Sequence, residues 1–267
     1  MPSEFPPPAP PPASFARSPT GRTGPTGGRA VDAGRGSVWW SDGWRLFRAA
    51  PGIWIGILVV YLLIVVGLSA IPWLGQIASG LLAPVLAAGV MVGCRELDRG
   101  QPLRIAHLFA CFDDRLVSLL VASAIYLGAW IVLWLLAGLF VFGAAGVGFA
   151  FSLLAGDPSA LVSSALSGLG LGALVAMLVV LLLSIPLMMA FWFVPALIAL
   201  RGDEPVTAMT ASFSGSLSNV LPLAVYSLVG LVLAVVASVP FGLGWLVLGP
   251  MLAGSVYASW RDIFAPD

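Results

Sequence analysis

The sequence predicts an all-α integral membrane protein: six transmembrane helices arranged as three hairpins, each preceded by an interfacial helix, with the first and third hairpins pseudo-repeated. Three observations carry this. Sixty per cent of the 267 residues are hydrophobic and only 9% are charged, against about 25% charged in soluble domains. Short Arg-bearing stretches punctuate the apolar runs. One run also returns: Pro84-Val-Leu-Ala-Ala-Gly-Val-Met-Val-Gly-Cys-Arg-Glu-Leu97 is echoed by Pro250-Met-Leu-Ala-Gly-Ser-Val-Tyr-Ala-Ser-Trp-Arg-Asp-Ile263. Laid side by side, the windows share Pro, Leu, Ala, Val and Arg. Arg95 meets Arg261, while Gly89 and Gly93 meet Ser255 and Ser259.

Residues 1–36 are rich in Pro, Gly, Ser and Thr and nearly free of aromatic and β-branched side chains, so they cannot bury enough surface to order themselves. They read as a disordered cytoplasmic tail, with a Pro-rich ligand for an SH3- or WW-like module as the alternative. They contain no apolar run of signal-peptide type, so the first span is expected to serve as an uncleaved insertion signal. Residues 37–264 read as one six-helix domain. At its start, Trp39, Trp40, Trp44 and Phe47 mix with Arg45 and Arg48, a composition that suits the headgroup region.

The expected spans are 52–71, 75–94, 116–136, 180–200, 221–239 and 243–260, each close to the ~20 residues needed for a ~30 Å hydrocarbon core. Pro51 suits the first turn of the first span. Pro84 lies inside the second and is expected to kink it. The turns at Pro72-Trp73 and Pro240-Phe241 close the first and third hairpins. Residues 101–115 form a second interfacial segment, with Ile105, Leu108, Phe109 and Phe112 at helical spacing. Residues 136–180 are glycine-rich and apolar around Gly156-Asp157-Pro158. Two overlong helices joined outside the membrane by a partly amphipathic segment are preferred there, because no polar turn interrupts the chain near Leu135 or Val180. An additional hairpin within the bilayer is the rival.

All twelve basic residues are Arg. They fall in the tail, in the polar loops at 95–115 and 201–220, and at the C-terminal end. The positive-inside rule then puts both termini in the cytoplasm.

Candidate chemistry is sparse. The expected spans hold no Asp, Glu, Lys, Arg or His, which argues against a carboxylate relay for ion coupling. Cys94, His107 and Cys111 fall on one side, and His107 and Cys111 share a helix face. They form a weak candidate metal site, against the plain reading of two buried thiols and a surface imidazole. Asp113-Asp114 and Asn219 read as helix caps. The small residues Gly89, Gly93, Ser255 and Ser259 allow close helix approach; packing of the two repeated helices against each other is preferred to a dimer interface. Pro84, Arg95, Pro250 and Arg261 complete the structural set. No nucleotide loop, nucleophile elbow or paired carboxylates are present, so neither catalytic residues nor a cofactor are expected, and nucleic acid is not an expected partner.

The segments Trp44-Arg-Leu-Phe47, Leu81-Leu-Ala-Pro84, His107-Leu-Phe109 and Val256-Tyr-Ala-Ser-Trp-Arg-Asp-Ile-Phe264 together resemble the BPSS-type family of bacterial multi-pass inner-membrane proteins of unknown function. The resemblance covers about residues 38–264. It implies an inner-membrane location and carries over no activity.

Two functional expectations follow. The first is a non-enzymatic scaffold or envelope-maintenance protein, with the bilayer, a second copy or another membrane protein as partner. The second is a permease or lipid-handling carrier built on pseudo-repeats. A carrier needs a cavity between the first and third hairpins, whereas a scaffold would be packed throughout.

Overall fold

The computed structural model describes residues 28–265, which form helices and turns with no strand among them. Most of the predicted tail, residues 1–27, lies outside the described residues. In chain order the elements are α1 (Arg35–Ala49), α2 (Pro51–Ser69), α3 (Leu74–Asp98), a 3-10 turn (Ile105–Phe109), α4 (Leu116–Leu154), a second 3-10 turn (Pro158–Ala160) and α5 (Leu161–Phe191). There follow a single turn α6 (Val194–Ala196), a π turn (Leu197–Arg201), α7 (Pro205–Ser218), α8 (Val220–Ser238) and α9 (Trp245–Phe264). Five helical stretches are long and apolar enough to cross a membrane: α2, α3, α4, the continuous stretch Leu161–Arg201, and α8. Their outer faces are apolar and exposed, for example Leu63, Leu135, Phe142, Leu182 and Val235, as contact with lipid tails requires.

Helix ends follow the expected chemistry. Pro51 sits in the first turn of α2, where its missing N–H leaves no carbonyl unmet. Gly202, in the left-handed region at φ 79°, stops the π turn, as glycine can without a Cβ clash. Pro84 lies inside α3, which continues through it to Asp98.

The middle of the chain holds the two expected overlong helices, but the segment that joins them is far shorter than expected. α4 runs for 39 residues and α5 for 31, so residues 137–179 are largely the continuation of both helices, with no additional hairpin. The physical reason lies in the glycines. Added Cβ atoms at Gly168 and Gly172 would come within 2.4 and 2.6 Å of the α4 carbonyls of Ala144 and Phe140, so these positions let two backbones touch, which is how apolar helices associate without help from water. The chain reverses only at Gly156-Asp157-Pro158. There the Asp157 carboxylate accepts from the backbone N–H of Ser159 at 3.0 Å and from its hydroxyl at 2.5 Å, and the hydroxyl contact holds that carboxyl below its usual range.

The segments that precede each helix pair do not lie free on the membrane surface. α1 packs along α9 and touches α8; the Ile105–Phe109 turn packs on α3 and touches α2; α7 packs on α5 and touches α4. Each segment thus sits on a neighbouring pair, and α1, the first element, closes onto the last. The second segment is a five-residue 3-10 turn and not the expected interfacial helix.

This packing corrects the headgroup reading of the early aromatics. Trp39 and Trp40 are buried. Trp40 stacks on Tyr226 of α8 at 4.9 Å, and its indole N–H donates to the Tyr226 carbonyl at 3.0 Å. Trp44 alone of the three tryptophans is exposed. The tail boundary also moves. Residues 28–34 are held by Asn219, whose Oδ1 accepts from Val31 N–H at 2.8 Å and whose Nδ2 donates to the carbonyls of Arg29 at 3.0 Å and Gly215 at 2.8 Å. Asn219 is the residue before α8, but it makes no side-chain cap there. Its amide is used up by the incoming chain and by the Gly215 carbonyl of α7.

Candidate functional site

Where α2, α3, α6 and α9 meet, they line a half-open chamber of about 350 Å³, within the ~300–1,000 Å³ of small-molecule sites. α2 supplies Trp54, Ile57, Leu58 and Tyr61, one face of a helix by their spacing. α3 supplies Ala83, Leu86 and Ala87; the α5–α6 junction supplies Trp192, Pro195 and Ala196; α9 supplies Gly249, Leu252 and Ala253. Val90 and Met91 of α3 and Pro250 and Val256 of α9 extend the wall. Leu108 of the 3-10 turn, itself fully buried, adds to the wall from the charged end of the bundle. No carboxylate, guanidinium, imidazole or thiol lines the chamber.

Two aromatic rings of the wall are held from behind. The Trp54 indole N–H donates to the Leu46 carbonyl at 3.0 Å. Trp192 lies edge-on to Tyr226 at 6.3 Å, and the Tyr226 hydroxyl pairs with Ser255 Oγ at 2.8 Å. The Trp192 indole N–H is buried and has no hydrogen-bond partner.

A lattice of charged groups closes the same end. Asp98 accepts from Arg261 Nη1 at 2.7 Å, from Arg45 Nη2 at 2.9 Å and from the Tyr257 hydroxyl at 3.3 Å. It therefore ties α3 to α1 and α9. Asp262 accepts from Arg35 Nε at 2.7 Å and from the Trp39 indole at 2.8 Å. Arg115 donates to the Ala199 carbonyl at 3.0 Å and Arg95 to that of Leu200 at 3.5 Å, meeting carbonyls that the π turn leaves free.

The structure distributes the sequence-predicted residues among these features. Pro250 lies in the chamber wall; Pro84 is beside it on α3, next to Ala83. Arg261 and Arg95 belong to the charged lattice. The small-residue faces do not pack on each other as expected. An added Cβ at Gly89 would lie 2.4 Å from the Leu108 carbonyl oxygen, and one at Gly93 would lie 2.8 Å from the Leu103 side chain; that face receives the 3-10 segment. On α9, Ser255 is buried against Gly43 of α1, and Ser259 is buried with its hydroxyl on the Val256 carbonyl. The α3 face is thus filled by the 3-10 segment and Ser255 of α9 by the helix α1.

Cys94 and Cys111 are free and buried. His107 Nδ1 accepts from Arg104 N–H at 3.3 Å. Among the described residues no three His, Cys, Asp or Glu side chains converge as a metal site. Burial pushes the Cys111 thiol up, away from the thiolate that metal binding requires. Asp113 accepts from Arg115 N–H at 3.1 Å, a local turn just ahead of α4. Sequence reasoning missed the chamber: Ala87, Ala253 and Trp192 read as ordinary residues of apolar runs, and only their convergence makes a site.

A probable inner membrane protein of Burkholderia thailandensis is 31% identical over 242 residues, covering 85% of this chain and 82% of that protein. The chain belongs to its family. It is a multi-pass inner-membrane protein, in agreement with its long apolar helices. No protein-family profile matches the chain. No solved structure matches it either.

Proposed function

We propose that this inner-membrane protein is a non-enzymatic carrier that holds a lipid-like molecule in its central chamber. The observation that supports this reading is the half-open apolar pocket where the first and third helix pairs meet the α5–α6 junction, where a scaffold would be filled by side chains. Its volume of about 350 Å³ falls within the range of small-molecule sites. The absence of any charged side chain from its wall fits an apolar cargo and gives no foothold for hydrolysis or ion coupling.

In this proposal α9 is the sixth span. Its 20 residues reach about 30 Å, and the polar groups that lower its hydropathy, Ser255, Tyr257 and Ser259, face the bundle and not lipid. The matching windows from Pro84 and Pro250, with Leu86 and Leu252 both in the chamber wall, support a repeated architecture, the plan of many carriers. The Arg-rich end faces the cytoplasm by the positive-inside rule. A periplasm-active reporter fused after Ala155 should then be active; a reporter there that works only in the cytoplasm refutes the orientation.

The carrier reading is tested by what purifies with the protein. Mass spectrometry of the detergent-extracted protein should find a retained lipid-like molecule, and Ala87→Trp, which fills the chamber, should lose it. Equal retention by the variant would refute the proposal.

A further inference from the structure

The α4–α5 hairpin outreaches the rest of the bundle. α2 and α8 have 19 residues each, about 28 Å of helix, whereas α4 has 39, about 58 Å. α3 and α4 run in opposite directions, and the Leu127 side chain of α4 lies 4.0 Å from where a Cβ would stand on Gly80 of α3. α3 begins one and a half turns before Gly80, at Leu74, so the first helix pair turns back level with the stretch of α4 near Leu133. From there α4 continues to Leu154, roughly 30 Å further, with α5 as its neighbour.

No side of this outer half suits water. Its inner seam is made where Gly148 meets Ser164 and where Gly168 meets Ala144. Phe142, Val147 and Leu153 are exposed and, at 3.6 residues per turn, point in three directions away from that seam. Val162 and Leu166 of α5 are exposed as well. Asp157, at the turn, is the one charged residue between Leu136 and Val180. The exposed hydroxyls of Ser163 and Ser167 donate to carbonyls of their own helix, as polar groups in hydrocarbon must. A helix that is apolar all round belongs in a protein core or a membrane. A second copy of the chain would cover one side of the hairpin and leave the others bare. Hydrocarbon covers every side, and the inner half of the same two helices already presents it with the same kind of surface, as at Leu135 and Leu182.

We propose that the outer half of the α4–α5 hairpin is a lipid-binding arm, sheathed on its exposed sides by the acyl chains of surrounding phospholipids. The leaflet at the end away from the charged lattice then follows the arm, through local thickening of the bilayer or tilt of the helices. This surface is remote from the chamber, and the assignment stands or falls independently of the carrier reading.

The test uses the full chain in phospholipid vesicles that contain no other protein. Phe142→Cys, Val147→Cys and Leu153→Cys are made singly and spin-labelled; the native thiols, Cys94 and Cys111, are buried. Collision of each label with oxygen, which concentrates in hydrocarbon, is compared with collision with a water-soluble nickel chelate. Leu63→Cys on α2 gives the lipid reference, and Glu204→Cys, in an exposed loop position, gives the water reference. All three arm positions should show the oxygen preference of Leu63→Cys. A nickel preference like that of Glu204→Cys at the three sites means that the arm stands bare in water, and overturns the proposal. Protection from both reagents, with dipolar broadening between labelled copies, means that a second copy covers the arm, and overturns it equally. Each position gives its own result, so a variant that fails to fold leaves two that decide.

Discussion

Gly89→Leu is expected to destroy the folded bundle. The carbonyl oxygens of Leu108 and His107 lie 2.4 and 2.5 Å from where a Cβ would stand, so even alanine forces a backbone to move. Overpacking of a tight interior costs roughly 1–3 kcal/mol and at times more; a leucine against two carbonyls belongs at or beyond the upper end. The loss would not stay local. The displaced segment carries Leu108, which closes the chamber, and runs on to Cys111, which is buried. In size-exclusion chromatography and thermal unfolding in detergent, Gly89→Leu should aggregate or melt far below the parent, with Gly89→Ala between them. A Gly89→Leu protein that melts like the parent would show that the close approach of the 3-10 segment is not needed.

Asp98→Ala is expected to have the next largest effect. One carboxylate there accepts from Arg261, Arg45 and Tyr257. Removing one partner of a fully buried ion pair costs about 3–5 kcal/mol. The Asp98 side chain is 18% exposed and that of Arg261 is 32% exposed, so solvent screens part of this, and on the order of 2 kcal/mol is expected. Arg45 is 53% exposed, and Arg45→Ala should cost well under half as much. Asp98→Asn keeps an acceptor without the charge and should fall between. Unfolding midpoints in detergent at low and high salt measure all three. An Asp98→Ala midpoint equal to that of the parent would remove the lattice from the list of things that hold α1, α3 and α9 together.

How much of this was legible beforehand differs from element to element. α2, α3 and α8 are apolar runs bounded by Pro, Trp and Arg, and periodicity and length suffice to find them. α4 and α5 were readable as helices but not to their full extent. Glycine reads as a breaker in water, yet Gly168 and Gly172 are where a neighbouring helix comes closest. Trp39 and Trp40 have the composition of a membrane-surface belt, and nothing local says that Tyr226, nearly two hundred residues away, will cover them. Asn219 looked like a helix cap because caps are local, whereas its true partners are Arg29 and Val31. The chamber is the limiting case. No residue of its wall is unusual for a membrane helix, and the site exists only through convergence of four elements.

The seating of α1 on α9 has a consequence for the order of events in the cell. Synthesis runs from the N-terminus, and early elements ordinarily begin to fold as they emerge. α1 cannot finish early: the backbone of Met251, which Gly43 approaches closely, and the Asp262 carboxylate that receives the Trp39 indole belong to α9, made some two hundred residues later. Trp39 and Trp40 must wait through nearly the whole of translation before they are covered. A chain cut short before α9 would leave the Trp39 indole without the Asp262 carboxylate, while Trp40 would still meet Tyr226 of α8.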